Sequence, residues 1–173
     1  MDTEVLLKQA RSGDKDALVA LVMARKDEYY RLAYTYTGNR DDAMDSLQDM
    51  TVKLFENIRK LRNIDAFYSW SKTILVNLCK ATLRRKSRVI ALKNTHEEQY
   101  NENFSAGEDR QDILVCLNRL SDVHQEAIKL RFFMDMDYDT IAQVTGVPVG
   151  TVKSRIFNAM AKLKELFGGD ERE

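Results

Sequence analysis

Apolar residues recur with helical spacing along nearly the whole chain, and this pattern is lost only between residues 93 and 111. Asparagine, serine, glycine and acidic residues fill that stretch, which is the composition of a linker. The chain has a single proline among its 173 residues, whereas β-rich chains need many such residues to end strands and form turns. We therefore predict an all-α fold of two small helical domains, over residues 1–92 and 112–173, joined by a flexible acidic linker over residues 93–111.

The sequence does not support a membrane protein, a secreted protein or a metalloprotein. No run of about twenty apolar residues occurs, and the acidic N-terminus lacks the apolar segment of a secretory signal. Cys79 and Cys116 are far apart and belong to no CxxC pair or Cys/His cluster. We expect a cytoplasmic protein with reduced thiols that uses no cofactor, metal or small-molecule substrate.

The basic residues are concentrated in two segments, although the chain balances 27 basic against 27 acidic residues. A net charge of zero argues weakly against nucleic-acid binding. However, residues 80–93 and 148–164 contain no acidic residue, whereas acids dominate residues 97–112. This distribution predicts two binding surfaces separated by the acidic linker.

Residues 138–156 follow the pattern of a helix-turn-helix. Ile141 and Val144 supply the inner face of a short support helix, and the small Ala142 permits close helix approach. Gly146 permits a left-handed turn, and Pro148 presets the first turn of the second helix. In DNA-reading motifs of this kind the second helix enters the major groove.

Helical spacing predicts the orientation of the second helix. The predicted inward positions are Val152, Ile156, Ala159, Met160 and Leu163. The candidate DNA contacts on the other faces are Thr151, Lys153, Ser154, Arg155, Phe157 and Asn158. Polar side chains there suit base edges, Phe157 suits a thymine methyl, and the flanking cations suit phosphates or guanines. An amphipathic hairpin with solvated cations is the alternative, which the exposed Phe157 and the acid-free face disfavour.

A helix predicted from Asp42 to Lys60 carries an acidic face. Its predicted apolar stripe consists of Ala43, Met44, Leu47, Met50, Leu54, Phe55 and Ile58. Asp45, Gln48 and Asp49 fall on the opposite side, where they are arranged to receive Arg and Lys from a partner. A merely solvated face is the alternative, and composition alone favours it.

A helix predicted from Ala66 to about Arg88 is apolar on most sides, except for one polar strip. That strip consists of Ser69, Thr73, Asn77, Lys80 and Arg84, and it runs into Arg85 and Lys86. Asn77 can hydrogen-bond an unpaired base, and the cations beyond it can hold phosphates. Tyr68 and Trp70 offer faces for base stacking, but Trp70 is equally well explained as a core residue.

Taken together, these segments resemble an extracytoplasmic-function (ECF) sigma factor of the sigma-70 family over nearly the full length. Leu32-Ala-Tyr and the segment Gly38–Asp49 are similar to regions 2.1–2.2 of that family, and Ala66–Asn77 through Leu83-Arg-Arg-Lys86 to regions 2.3–2.4. Leu117–Ser121 and Ala127–Arg131 look like region 4.1, and Tyr138–Phe157 like region 4.2. The resemblance implies a region 2 helical bundle and a region 4 helix-turn-helix.

The resemblance also implies roles for the candidate residues. Asp45, Gln48 and Asp49 would bind the β′ clamp coiled coil of core RNA polymerase, and region 4 would meet the β flap. The residues implied in recognition and melting of the −10 element are Trp70, Thr73, Asn77, Lys80, Arg84, Arg85 and Lys86. Thr151, Lys153, Ser154, Arg155, Phe157 and Asn158 would read the −35 element. An anti-sigma factor would regulate the protein, and a membrane-bound one would hold it at the inner face of the membrane.

Three positions depart from the common family pattern, namely Ser121, Thr140 and Asn158, and they affect promoter sequence rather than the class of activity.

Two other classes of protein fit the sequence less well. An autonomous repressor or activator needs only the C-terminal module and has no use for the Asp45 face or the Asn77 strip. An enzyme needs a nucleophile with its base, a metal site or clustered carboxylates, and His96 and His124 have none nearby in sequence. We therefore expect an initiation factor and not an enzyme.

Overall fold

The computed structural model describes residues 3–93 and 115–168, and every regular element within these ranges is helical. The chain divides into two compact units, Met1–Asn101 and Glu102–Glu173. The predicted all-α, two-domain fold is thus confirmed. The predicted linker lies outside the described residues except for its first residue, Lys93. None of the described helices combines the length and the apolar character that crossing a lipid bilayer demands.

Within residues 3–93, unit 1 contains five α-helices. They are α1 (Thr3–Ser12), α2 (Lys15–Met23), α3 (Lys26–Thr37), α4 (Arg40–Asn57) and α5 (Phe67–Lys93), with 3₁₀ turns at Ile58–Lys60 and Ile64–Ala66. Polar caps explain where two of them begin. The Asp14 carboxylate accepts a hydrogen bond from the Ala17 N–H, and the Asn39 side chain accepts from Asp41 and Asp42. Gly38, in a left-handed conformation (φ 62°), ends α3 just before the Asn39 cap.

Helices α3, α4 and α5 pack against one another around a core that includes Tyr29, Met50 and Phe67. The buried line of α4 is narrower than predicted, because it consists of Ala43, Ser46, Met50 and Leu54. Met44 and Phe55 are 44% and 41% exposed, so their assignment to the buried stripe was wrong. Helix α4 packs on α2, α3 and α5, which bury this line and leave the apolar side chains beside it partly exposed.

A polar network joins α3 to α5 inside unit 1. Lys72, which is 8% exposed, lies 2.5 Å from the Glu28 carboxylate, and Arg25 lies 3.2 Å from the other Glu28 oxygen. The Tyr29 hydroxyl and the buried Ser71 hydroxyl are hydrogen-bonded at 2.6 Å. Burial alone would raise the pKa of Glu28, but the hydrogen bonds and charges of Lys72 and Arg25 outweigh burial and lower the pKa. The network therefore keeps Glu28 charged to satisfy the buried ammonium.

Replacing Glu28 with Gln is expected to destabilise unit 1 by about 3 kcal/mol, because it leaves the buried Lys72 charge without its carboxylate. The contribution of Glu28 is present above the ordinary carboxylate pKa and is lost as the pH falls through the lowered folded-state value. The difference between the two proteins should therefore shrink in acid. Urea unfolding followed by the fluorescence of Trp70, the single tryptophan in the sequence, measures it.

Glu56→Gln provides the matched control, because Glu56 forms an exposed pair with Lys53 at 2.9 Å. Its loss should cost less than about 0.5 kcal/mol. Equal losses in the two variants would show that the Glu28–Lys72 pair has no special structural role.

The described part of unit 2 contains helical residues 115–118, then α6 (Asp122–Ile128), a π-helical turn (Lys129–Phe133), α7 (Tyr138–Thr145) and α8 (Val149–Gly168). Helix α8 packs on both α6 and α7. One buried cluster contains Leu117, Leu120, Ile128 and Ala159, with Leu163 packed against it. Ile141, Val144 and Val152 are also buried, which confirms the predicted inner faces of α7 and of the first turn of α8.

The turn between α7 and α8 has the predicted helix-turn-helix chemistry. Gly146 adopts φ 71°, and its N–H donates to the Ala142 carbonyl at 2.9 Å. The Pro148 carbonyl accepts from Thr151 and Val152 at the start of α8. At the other end of α7, the Asp137 carboxylate accepts from the Thr140 N–H at 2.7 Å.

Two glycines of this motif should respond oppositely to alanine. Both sites have open space around an added Cβ, but only Gly146 has a positive φ. Gly146→Ala should therefore destabilise unit 2 by about 1 kcal/mol through backbone strain. Gly150→Ala should stabilise it by about 0.5 kcal/mol, because alanine loses less backbone entropy in a helix. Amide hydrogen exchange of α7 and α8 measures both changes, and destabilisation by both substitutions would contradict the difference in backbone conformation.

Candidate nucleic-acid and protein interfaces

The outer face of α8 presents most of the predicted DNA contacts to solvent. Lys153, Ser154 and Asn158 are exposed, Phe157 is 74% exposed, and Thr151 and Arg155 are half-buried. The Ser154 hydroxyl donates to the Thr151 carbonyl at 2.9 Å, so its oxygen can still accept a hydrogen bond. Met160 is 47% exposed, so its predicted inward position was wrong. Ala159, which was also predicted to face inward, is buried in a cluster with Leu117, Leu120 and Ile128.

Tyr138, the first residue of α7, lies beside this face. The Lys153 Nζ lies 5.8 Å from the centroid of its ring, and the Arg131 Cζ lies 5.4 Å from it. Both distances are within the range of cation–π attraction. The helix-turn-helix pattern over residues 138–156 did not predict the contact between Tyr138 and Arg131, because Arg131 precedes the motif.

The outer face of α5 presents a mixed strip that runs along the helix. Asn77, Arg84 and Arg85 are exposed, whereas Trp70, Thr73 and Lys80 are half-buried. The Thr73 hydroxyl donates to the Ser69 carbonyl, and the Lys80 Nζ lies 5.7 Å from the Tyr36 ring centroid. The face of Tyr68 is covered by the Arg25 guanidinium at 4.0 Å. Tyr68 is therefore less available for base stacking than its sequence position indicated.

A surface pocket of about 450 Å³ lies at one end of the strip. Its lining residues come from three segments of unit 1, and they are Lys53, Asn57, Lys60, Leu61, Arg62, Trp70 and Ile74. Trp70 is thus neither fully core nor fully exposed, since it forms one wall of the pocket. The basic run of Arg59, Lys60 and Arg62 was the available sequence signal for this site, but only the fold brings it to α5.

We call this site the Trp70 pocket. It is large enough to admit a planar aromatic group, and its apolar walls are formed by Trp70, Ile74 and Leu61. Lys53, Lys60 and Arg62 supply positive charge around it, with the Lys60 ammonium donating to the Asn57 side-chain carbonyl at 2.8 Å. An unstacked base with its phosphate has the matching chemistry.

A second groove of about 460 Å³ lies farther along α5, between Ala81, Arg84, Arg85, Arg88 and Val89. Three guanidiniums around a small apolar floor suit a phosphate backbone. Arg88 was not among the predicted contacts. Lys86 differs from its arginine neighbours, because its ammonium pairs with the Asp42 carboxylate in the first turn of α4. That ion pair ties the second half of α5 to α4.

The outer face of α4 combines acids with exposed apolar side chains. Asp45, Gln48 and Asp49 are all exposed, as their spacing predicted. Val52, which is 56% exposed, lies on the same face, and Met44 and Phe55, which are 44% and 41% exposed, lie at its edge. The Lys15 Nζ of α2 lies 5.1 Å from the Phe55 ring centroid. A surface of this composition fits a protein partner that carries cations beside apolar groups.

Groups suited to catalysis are not gathered at any of these surfaces. Within residues 3–93 and 115–168, no three His, Cys, Asp or Glu residues lie close enough together to hold a metal ion. Cys79 is buried, and burial raises the pKa of its thiol, which keeps it protonated.

Comparison with known families matches both units. The family model for sigma-70 region 2 matches residues 21–89, and the model for sigma-70 region 4 matches residues 110–163. The two matches fall on different units and together cover more than half of the chain. The region 2 match includes the acidic face of α4, the Trp70 pocket and the α5 strip, and the region 4 match includes the helix-turn-helix.

Individual relatives agree with these matches over most of their length. The chain is 29% identical to the RNA polymerase sigma factor SigV of Bacillus subtilis, covering 87% of this chain and 90% of the relative. It is 29% identical to the ECF RNA polymerase sigma-E factor of Escherichia coli, covering 90% and 89%. Among solved structures, the sigma factor RpoE in complex with the anti-sigma factor NepR from Bartonella quintana is 26% identical, with a TM-score of 0.67 over 91% of this chain and 100% of that one.

Proposed function

Because the chain belongs to the sigma-70 family of RNA polymerase sigma factors, we propose that its three surfaces divide the work of starting transcription. The protein is an ECF-type transcription initiation factor that binds core RNA polymerase and promoter DNA, and it is not an enzyme. The assignment of each step to particular residues is the proposal. The observation that carries it is the separation of an acidic protein-binding face on α4 from basic, aromatic-lined surfaces on α5 and α8.

The acidic face of α4 binds the clamp coiled coil of the polymerase β′ subunit. Asp45, Gln48 and Asp49 are exposed and can accept hydrogen bonds from cations of the partner. Exposed Val52 and Phe55 add apolar area beside them, which supplies affinity that the screened surface charges cannot supply alone. In unit 2, exposed Phe132 and Phe133 provide a separate apolar surface for the polymerase β flap.

The strip on α5 reads and melts the −10 element. A base flipped from the non-template strand enters the Trp70 pocket, where the indole and Ile74 replace the stacking that the base loses. Asn77 lies one turn beyond Ile74 on α5 and hydrogen-bonds the exposed edge of the base. Arg84, Arg85 and Arg88 hold the phosphates of the flanking DNA. Lys86 contributes mainly by fixing α5 to Asp42.

The first three turns of α8 read the −35 element in the major groove. Ser154 and Asn158 face base edges, and Phe157 is free to contact a thymine methyl. Thr151, Lys153 and Arg155 surround them and suit phosphates or guanines. The buried faces of α7 and α8 hold this surface on a rigid support.

Regulation by an anti-sigma factor completes the proposal. The solved structure of RpoE with NepR is that of a relative bound to such a factor. An anti-sigma factor would bind the mixed acidic and apolar surfaces that bind polymerase, because covering these surfaces prevents assembly with polymerase. The protein acts in the cytoplasm, where its polymerase is, and a membrane-bound anti-sigma factor would hold it at the membrane until a signal releases it.

Run-off transcription with sigma-free core polymerase on genomic promoter fragments tests this function. The chain should direct transcripts from specific start sites, and Asp49→Arg and Asn77→Ala should damage different steps. Asp49→Arg should weaken core polymerase binding about tenfold or more, because it places a cation where the partner carries cations. Asn77→Ala should leave core binding unchanged and reduce open-complex formation, since the flipped base loses a hydrogen-bond partner.

Asp27→Arg is the matched control, because it reverses an exposed acid on α3 rather than on α4. It should transcribe like the original chain. An autonomous DNA-binding regulator would bind core polymerase no better than an unrelated protein, which would overturn the proposed function. Equal loss of polymerase binding in Asp49→Arg and Asn77→Ala would contradict the division between the α4 and α5 surfaces.

Filling the Trp70 pocket should block melting without blocking arrival at the promoter. Ile74→Phe places a ring in the space proposed for the flipped base and should lower open-complex formation about tenfold, the value of one stacked base. Ile74→Val keeps the pocket open and serves as the control. Permanganate reactivity of unpaired thymines measures melting, and footprinting at low temperature measures the closed complex. Normal melting with Ile74→Phe would remove the base from this pocket.

A further inference from the structure

Tyr138 contacts two cations that belong to different parts of unit 2. Its ring centroid lies 5.4 Å from the Arg131 guanidinium carbon and 5.8 Å from the Lys153 ammonium. The Arg131 guanidinium is itself fixed, since it donates to the Met136 carbonyl at 3.1 Å and lies 3.7 Å from the Asp135 carboxylate. Lys153, in contrast, is exposed on the outer face of α8. The ring thus connects a fixed cation of the π-helical turn to an exposed cation of the DNA-facing helix.

We propose that Tyr138 is a positioning residue for promoter binding, whose ring holds the Lys153 ammonium in the place where it meets a DNA phosphate. The inference rests on the proposed function, in which Lys153 contacts the −35 region. A lysine has a long flexible stem, and fixing it on DNA costs side-chain entropy. A ring that already attracts the ammonium reduces that cost, because part of the ordering precedes binding.

The position of Tyr138 in the fold supports this role. It begins α7, the support helix, which in helix-turn-helix proteins crosses the DNA backbone while the second helix occupies the groove. No carboxylate among residues 115–168 forms an ion pair with Lys153, whose ammonium lies instead near the Tyr138 ring. The ring of Tyr138 is therefore the group that orients Lys153 before DNA arrives.

A competing explanation gives Tyr138 a direct role through its hydroxyl, which could donate to a phosphate itself. The two explanations predict different effects for two substitutions. Tyr138→Phe keeps the ring and removes the hydroxyl, whereas Tyr138→Leu removes both.

Proton NMR of the full-length chain tests the contact without DNA. The terminal methylene protons of Lys153 should be shifted upfield by the ring, and those of Lys164, at the far end of α8, should not. Tyr138→Phe should keep the upfield shift, and Tyr138→Leu should abolish it. An unchanged Lys153 shift in Tyr138→Leu would overturn the inference whatever the DNA measurements give.

Holoenzyme assembled from the full-length chain and core polymerase tests the consequence, with the −35 duplex of a promoter mapped by run-off transcription as the probe. Tyr138→Leu should weaken binding about two- to fivefold, the range for an exposed cation–π contact, and Tyr138→Phe should bind like the original chain. Lys153→Ala should weaken binding, and adding Tyr138→Leu to it should cause little further loss. Lys26→Ala, which removes an exposed lysine of α3 in unit 1, should leave binding unchanged.

The outcomes separate this inference from the proposed function. If Tyr138→Phe binds as poorly as Tyr138→Leu, the hydroxyl matters rather than the ring, and the inference fails. Additive losses in the double variant also overturn it, because the two residues then act independently. If Lys153→Ala binds like the original chain, the assignment of Lys153 to the −35 region is wrong, and the inference fails together with that part of the proposed function.

Discussion

The buried ion pair between Lys72 and Glu28 is the constraint on which the outer surface of α5 depends. Lys72 lies on the inner side of α5, and its charge is tolerated there because α3 supplies the Glu28 carboxylate at 2.5 Å. The neighbouring Ser71–Tyr29 hydrogen bond adds a second fixed point. A rotation of α5 by one residue would separate both pairs and leave buried polar groups unsatisfied. The network therefore fixes which side of α5 faces outward, and with it the positions of Trp70, Asn77 and Arg84.

The same helix must serve as core and as binding surface, and this explains its unusual composition. Phe67, Leu75, Val76 and Cys79 are fully buried, while Trp70 and Ile74 form walls of a pocket at the surface. A conventional amphipathic helix would place charges along the outer side and expose no such apolar walls. In unit 2 the packing is different, because α7 packs behind α8 and leaves the outer face of α8 almost completely exposed. Phe157 can remain 74% exposed there, since the adjacent helices already bury Val152, Ile156 and Ala159.

Sequence periodicity predicted the elements well, because helices and their caps depend on residues close together in the chain. Gly146 adopts the predicted left-handed turn, and Asp45, Gln48 and Asp49 share the predicted exposed face. The wrong or missing predictions concern the width of the buried stripes and the contacts between residues far apart in the chain. Apolar residues at the edge of a stripe, such as Met44, Phe55 and Met160, are exposed because the neighbouring helices cover only a narrow line. The Trp70 pocket was not predicted, since it joins residues 53–62 to α5 through tertiary packing alone.

The zero net charge, which argued weakly against DNA binding, is consistent with a protein that should not bind DNA by itself. Nonspecific affinity for DNA grows with the number of phosphates that cations neutralise, and 27 acids balance the 27 basic residues here. Local groups such as Arg84, Arg85 and Arg88 still act at close range, because salt screens exposed charges beyond about 10 Å. In the proposed function, each DNA surface alone is too weak to hold a promoter, and both must engage together. We propose that polymerase bound at the acidic face of α4 provides that condition, so that recognition of a promoter depends on prior assembly with the enzyme that will transcribe it.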